Sequence, residues 1–164
     1  AEIGCALMRD LVDLCLQRHD VVRVYNLPGN HDPRLARWLA LWLSAVYERE
    51  PRVVIEPNHD PYQYWAWGSN AVMLHHGDGA KAEKCPAIFA CRPEWGGATH
   101  RYVFTGHIHS QNRWDLPGCT VESFRTLAPT DYWAHHKGYR GKRTLDAITL
   151  HRERGEISRV QEGL

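Results

Sequence analysis

The chain predicts a mixed α and β fold, helices first and strands after, on three observations. Apolar residues at helical spacing dominate its start, and short β-branched or aromatic runs bounded by Gly, Pro, Asn and Asp dominate the rest. Several of those runs stop abruptly in glycine beside a histidine. From Glu2 to Arg18 the positions Ile3, Leu7, Leu11 and Leu14 fall four, four and three apart, the stripe of an amphipathic helix. Ala1 is a poor N-cap and no capping side chain precedes it, so the native element is expected to begin upstream. Val21 to Tyr25 is a short β-branched strand that runs into Asn26, Pro28 and Gly29. Pro33 suits a first helical turn, and Leu35, Trp38, Leu39, Trp42, Leu43 and Val46 give a second helix an apolar face ending near Glu50. Trp38 and Trp42 stand one turn apart and are expected in the core.

Beyond that helix the pattern turns to strands at Arg52 to Ile55, Tyr62 to Trp67 and Ala71 to Leu74. Lys81 to Cys91 has helical character interrupted by Pro86. Further strands are expected at Arg101 to Thr105, Thr120 to Phe124, Arg143 to His151 and Glu156 to Val160, the last two joined by a tight turn at Arg154-Gly155. Much of the sheet should therefore be antiparallel.

At 164 residues the chain has the length of one domain, and a 43% hydrophobic composition excludes a disordered chain. No run approaches the roughly 20 apolar residues of a membrane span. A net charge of +1 neither favours nor opposes nucleic acid, so partners must be sought in local sites. Five cysteines without regular spacing, and without a signal peptide ahead of them, fit a reducing, cytoplasmic setting. Cys85 and Cys91 are too far apart for the usual zinc-site spacing, so reduced thiols are expected, with a zinc-stabilised nucleic-acid-binding domain as the alternative.

Three segments share one layout, an apolar strand that ends in glycine with histidine, asparagine or aspartate beside it. They are Gly29-Asn30-His31-Asp32, His75-His76-Gly77-Asp78 and Gly106-His107-Ile108-His109. Polar groups at the carboxyl ends of strands are held on rigid supports, and glycine lets the backbone turn sharply and approach a ligand. His107 and His109 could aim at one site only if the chain leaves its extended form between them. Neutral imidazoles suit Zn, Fe, Ni or Mn, and the Asn30 amide oxygen would add a harder ligand. His75 adjoins a presumed ligand and could be structural or face the substrate. Asp78 could orient a ligand histidine or simply end the turn.

Together the three segments resemble the calcineurin-like metallophosphoesterase family, which carries Gly-Asn-His-Asp, His-Gly and Gly-His-x-His motifs in the same order. The resemblance implies part of a four-layer α/β/β/α sandwich and hydrolysis of a phosphodiester or phosphomonoester, with the basic aromatic segment at 131–143 favouring the diester. It implies two divalent ions that clamp the phosphate and acidify a water, with Asn30, His76 and His107 ligating one and His109 the other. His31 would act at the leaving-group oxygen, oriented by Asp32. The family also has Asp-x-His and Gly-Asp-x-x-Asp segments, and neither stands upstream of Gly29. The chain therefore looks like the C-terminal portion of such an enzyme, expected to bind at most one ion, weakly. A catalytically inactive fragment or binding module of the same fold is the companion expectation.

Asp131 to Arg143 interleaves His135, His136, Lys137, Arg140, Lys142 and Arg143 with Tyr132, Trp133 and Tyr139. Such a loop can hold phosphates and stack on bases, with Lys137 and Arg140 as substrate-binding candidates, although charge runs are ordinarily solvated faces. Ser110, Gln111 and Asn112 follow the last histidine and are candidates for the substrate mouth.

Overall fold

A computed structural model describes residues 2–57, 59–129, 136 and 141–163. Where the length predicts one domain, the chain forms two units, Ala1–Pro61 and Tyr62–Leu164. The mixed α and β class predicted from the sequence is present in both.

The first unit contains α1 (Glu2–Leu16), β1 (Val22–Val24), α2 (Pro33–Val46) and β2 (Val53–Ile55). β1 and β2 pair in parallel, Val22 opposite Val53 and Val24 opposite Ile55, so α2 is the crossover between them. Pro33 opens α2, where its missing N–H costs nothing. The buried face of α2 matches the expected one in part: Leu43 is buried and Leu39 and Trp42 are half-buried, but Ala36 and Ala40 join them, whereas Leu35, Trp38 and Val46 are exposed, Trp38 at 69%. Small alanines let a helix backbone approach its neighbours closely, and the Asn26 amide donates to the Ala36 carbonyl from the chain leaving β1. On α1 the buried residue is Val12, and the stripe of Ile3, Leu7, Leu11 and Leu14 is exposed. The Tyr47 hydroxyl donates to Asp13 at 2.7 Å and ties the end of α2 to α1.

In the second unit β3 (Tyr62–Trp67), β4 (Asn70–His75), β5 (His100–Thr105), β6 (Asn112–Leu116) and β7 (Cys119–Ser123) form one sheet in the order β3-β4-β5-β7-β6. The central three strands run parallel and only the edge strands pair antiparallel, so the sheet is less antiparallel than expected. β6 is a strand the sequence pattern did not mark. A two-residue loop of Pro117 and Gly118 (φ 87) joins it to β7, with proline and glycine in their type II turn positions. Pro86 does not break a helix: a short 3-10 turn, Ala82–Lys84, leads into α3 (Cys85–Ala90), and Pro86 lies in its first turn. A four-residue helix, α4 (Pro93–Gly96), follows.

Alternation along the strands gives the sheet two faces. Ala71, Met73, Val103, Cys119 and Val121 pack on Cys85 and Phe89 of α3, forming the core. Phe89 in turn meets the rings of Tyr64 and Trp95. The opposite face carries Tyr102 and Glu122, which bond to a separate hairpin of β8 (Thr144–His151) and β9 (Gly155–Gly163). His75, Thr105 and Ser123 end the three parallel strands in register, so the loops that follow leave the sheet along one edge.

Candidate metal centre

Because His75 and Thr105 are partners in the ladder, His76 and Gly106 leave β4 and β5 side by side. The Gly106 N–H donates to the His76 carbonyl at 2.9 Å, extending the pairing one step past the sheet. Gly77 then turns at φ 112, and a Cβ there would stand 3.0 Å from the Gly106 oxygen and 3.2 Å from the His107 Cβ. Conformation and space both demand glycine at this position. The result is that His76 Nε2 and His107 Nδ1 face each other at 3.2 Å, with the rings edge to face.

The loop after β5 holds a second unusual feature. The Ile108 N–H donates to the Gly106 carbonyl at 2.8 Å, closing a three-residue turn centred on His107 at φ 64. A γ-turn with positive φ is the rare and strained kind. His109 is also left-handed, at φ 52. This is how the chain leaves its extended form between the two histidines. Non-glycine residues in such regions cost about 1–3 kcal/mol each and concentrate at functional sites.

Two nitrogens bound to one ion at about 2.1 Å stand about 3.0 Å apart at a right angle and about 3.4 Å apart at the tetrahedral angle. The His76–His107 spacing of 3.2 Å lies between these, so the pair suits two adjacent positions on one transition-metal ion. The same spacing serves an imidazole-to-imidazole hydrogen bond in which one nitrogen carries the proton. Among the described residues no three His, Cys, Asp or Glu side chains form a group able to hold a metal. The pair alone would fill two positions on an ion.

His75 is not a substrate-side residue. It is 2% exposed, its Nδ1 accepts the Gly77 N–H at 3.1 Å, and its Nε2 lies 3.5 Å from Cys85 Sγ. With Nδ1 accepting, the ring proton belongs on Nε2, directed at the sulfur. Burial holds the His75 pKa below its ordinary value, with Asp78 opposing and His76 assisting that shift. Its neutral ring therefore buttresses the turn that aims His76. Asp78 is exposed.

Asn30, His31 and Asp32 lie in the first unit, exposed on the loop between β1 and α2. The Asp32 carboxylate accepts the Gly29 N–H at 3.0 Å, so it shapes the loop. The structure brings His76 and His107 together within the second unit, with His109 exposed two residues on. Lys137 and Arg140, like His135, Tyr132, Trp133 and Tyr139, lie outside the described residues. Ser110, Gln111 and Asn112 serve the sheet more than a substrate mouth. Ser110 accepts the Ser123 hydroxyl through its carbonyl, Asn112 opens β6, and Gln111 donates to Glu122.

The sequence pattern also missed Glu122, a carboxylate 1% exposed and held by Arg159. A lone glutamate in an apolar strand, Val121-Glu122-Ser123, was its only signal. Cys85 is buried and Cys91 exposed, so they do not offer one surface to a zinc ion. No helix among the described residues is long and apolar enough to cross a membrane. Compared with protein-family models, with characterised proteins and with solved structures, the chain matches none.

Proposed function

We propose that this chain is part of a metal-dependent phosphoesterase, with His76 and His107 as ligands of one divalent ion and a phosphodiester as substrate. The observation that supports it most is the 3.2 Å approach of His76 Nε2 to His107 Nδ1 at the carboxyl edge of a parallel sheet. The backbone cost at His107 and His109 supports it further, because stability alone would select against left-handed histidines. An ion there would supply Lewis acidity toward a phosphoryl oxygen. The chain's own part is to hold two imidazoles at fixed spacing, through the Gly77 turn and the buried His75 beneath it. The finer expectation of a four-layer α/β/β/α sandwich belongs to the same proposal. Nucleic acid as the diester rests on the basic and aromatic sequence at 131–143.

That the described residues hold no group of three His, Cys, Asp or Glu able to hold a metal favours a second reading, a module of this kind that binds an ion or phosphate without turnover. One experiment addresses both. The purified chain and its His107→Ala variant are titrated with Mn²⁺ or Zn²⁺ by calorimetry and assayed on bis(4-nitrophenyl) phosphate. A single weak site abolished by the substitution supports the ligand assignment, and turnover that follows ion occupancy separates enzyme from module. Ion binding indifferent to His107 would overturn both.

A further inference from the structure

A cavity of about 250 Å³ opens beside the histidine pair, and the backbones of Gly77 and Gly106 form part of its wall. Its other walls are mostly apolar: Ala80, Cys85, Ile108, Trp114 and Val121. The hydroxyls that reach it are already engaged, Thr105 donating to the Glu122 carbonyl at 3.3 Å and Ser123 to the Ser110 carbonyl at 2.8 Å. At the rim Lys81 and Glu83 carry opposite charges, so neither sign of ligand is favoured. Shape and apolarity are left to select what enters. A dry apolar cavity of about 150 Å³ accepts benzene, so this one has room for a single substituted ring. Trp114 lines it and offers that ring an aromatic contact.

The geometry points to an aryl group as the occupant, carried by a phosphate ester whose phosphate lies at His76 and His107. A nucleobase has several hydrogen-bonding edges, and a cavity whose hydroxyls are spoken for would leave them unpaired, at a cost in affinity. The aryl assignment rests on the phosphoester proposal for the phosphate, while the cavity itself can be tested apart from it. Ile108 also links the two features: its N–H closes the turn that aims His107, and its side chain lines the cavity.

The test uses the whole chain with methyl-labelled isoleucine and valine, so that Ile108 and Val121 report by NMR. Phenol, without phosphate and without metal, is expected to shift both methyls. Phenyl phosphate should do the same, methyl phosphate should not, and adenosine monophosphate should bind more weakly than phenyl phosphate. Ala80→Leu should weaken phenol about tenfold or more by filling the space; Ala82→Leu is the second variant should the first fail to fold. Phenol shifts with no response of the His76 and His107 ring signals to Mn²⁺ would retain the cavity and discard the metal proposal. Ring signals that respond to Mn²⁺ with methyls silent to phenol would overturn the cavity. Tighter binding of adenosine monophosphate than phenyl phosphate would overturn the aryl assignment.

Discussion

Arg159 on β9 holds both carboxylate oxygens of Glu122 on β7, with Nη2 to Oε2 at 2.8 Å and Nη1 on Oε1. Glu156 joins from the same hairpin, accepting Arg159 Nε at 2.9 Å, and Arg113 reaches Glu156 from β6 at 3.3 Å. Two guanidinium groups and two carboxylates thus balance where the hairpin lies on the sheet. Removing one partner of a buried pair leaves an uncompensated charge and costs about 3–5 kcal/mol, whereas replacing both by apolar groups is often neutral. Arg159→Met is therefore expected to destabilise the second unit by about 3 kcal/mol in urea unfolding, at the low end because Arg113 remains nearby. The double variant Glu122→Leu with Arg159→Met should recover most of that loss. A double variant no better than the single would mean that Arg159 acts through its packing on Phe124, over whose ring it lies at 6.0 Å.

Glu156 makes the same cluster sensitive to acid. Burial raises its pKa, but hydrogen bonds and charge from Arg159 and Arg113 outweigh that and hold the carboxyl below its ordinary value. A carboxylate with a depressed folded pKa contributes stability above its unfolded value, about 4.3, and loses it as the pH falls through the folded one. Unfolding free energy is expected to decline below about pH 4.3, and Glu156→Gln should flatten part of that decline. An identical acid profile for wild type and variant would remove Glu156 from the account.

The fold class and most strands could be read from the sequence because local pattern carries them. Val-Arg-Val at 22–24 and the aromatic run at 62–67 depend on little beyond β-propensity. What could not be read is what depends on partners far along the chain. Glu122 and Arg159 meet across 37 positions, and nothing near either residue announces the other. Periodicity alone puts Leu35, Trp38 and Val46 on the buried face with Leu43, yet Ala36 and Ala40 share the interior with Leu43 instead. Of the candidate site, Gly77 and Gly106-His107 were legible as glycine-bounded ends of strands. Their meeting was not, because it follows from the ladder register of His75 with Thr105.

The same burial that hides His75 governs the cysteines. Cys85 and Cys119 are buried, and desolvation pushes each thiol up to about 11, so at neutral pH both are protonated and poorly nucleophilic. Cys91 is exposed at the end of α3. Iodoacetamide at pH 8 with peptide mapping should label Cys91 first and reach Cys85 and Cys119 only after denaturation. Early labelling of Cys85 would show that α3 opens readily and that His75 lacks the buried surroundings described above.

The strained histidine loop separates backbone from side-chain effects. His109 is exposed at φ 52 and makes no hydrogen bond among the described residues, so replacing it tests conformation with little else. Glycine adopts left-handed φ freely but loses more entropy on folding, about 0.5–1 kcal/mol. A β-branched residue there is strained, and the left-handed region costs roughly 1–2 kcal/mol for a residue with a Cβ. His109→Gly, which relieves the Cβ cost and adds the entropy cost, should therefore match or slightly exceed wild type in thermal stability, while His109→Val keeps the Cβ, adds branching and falls below wild type, although both lose the imidazole. Gly77→Ala is expected to cost more, about 1–3 kcal/mol, because its Cβ would meet the Gly106 carbonyl and His107 Cβ as well as an unfavourable φ. That substitution should also weaken Mn²⁺ binding, since relieving the contact moves His107 away from His76. If Gly77→Ala lowers stability and leaves ion binding intact, the 3.2 Å spacing of the two rings is not what holds the ion.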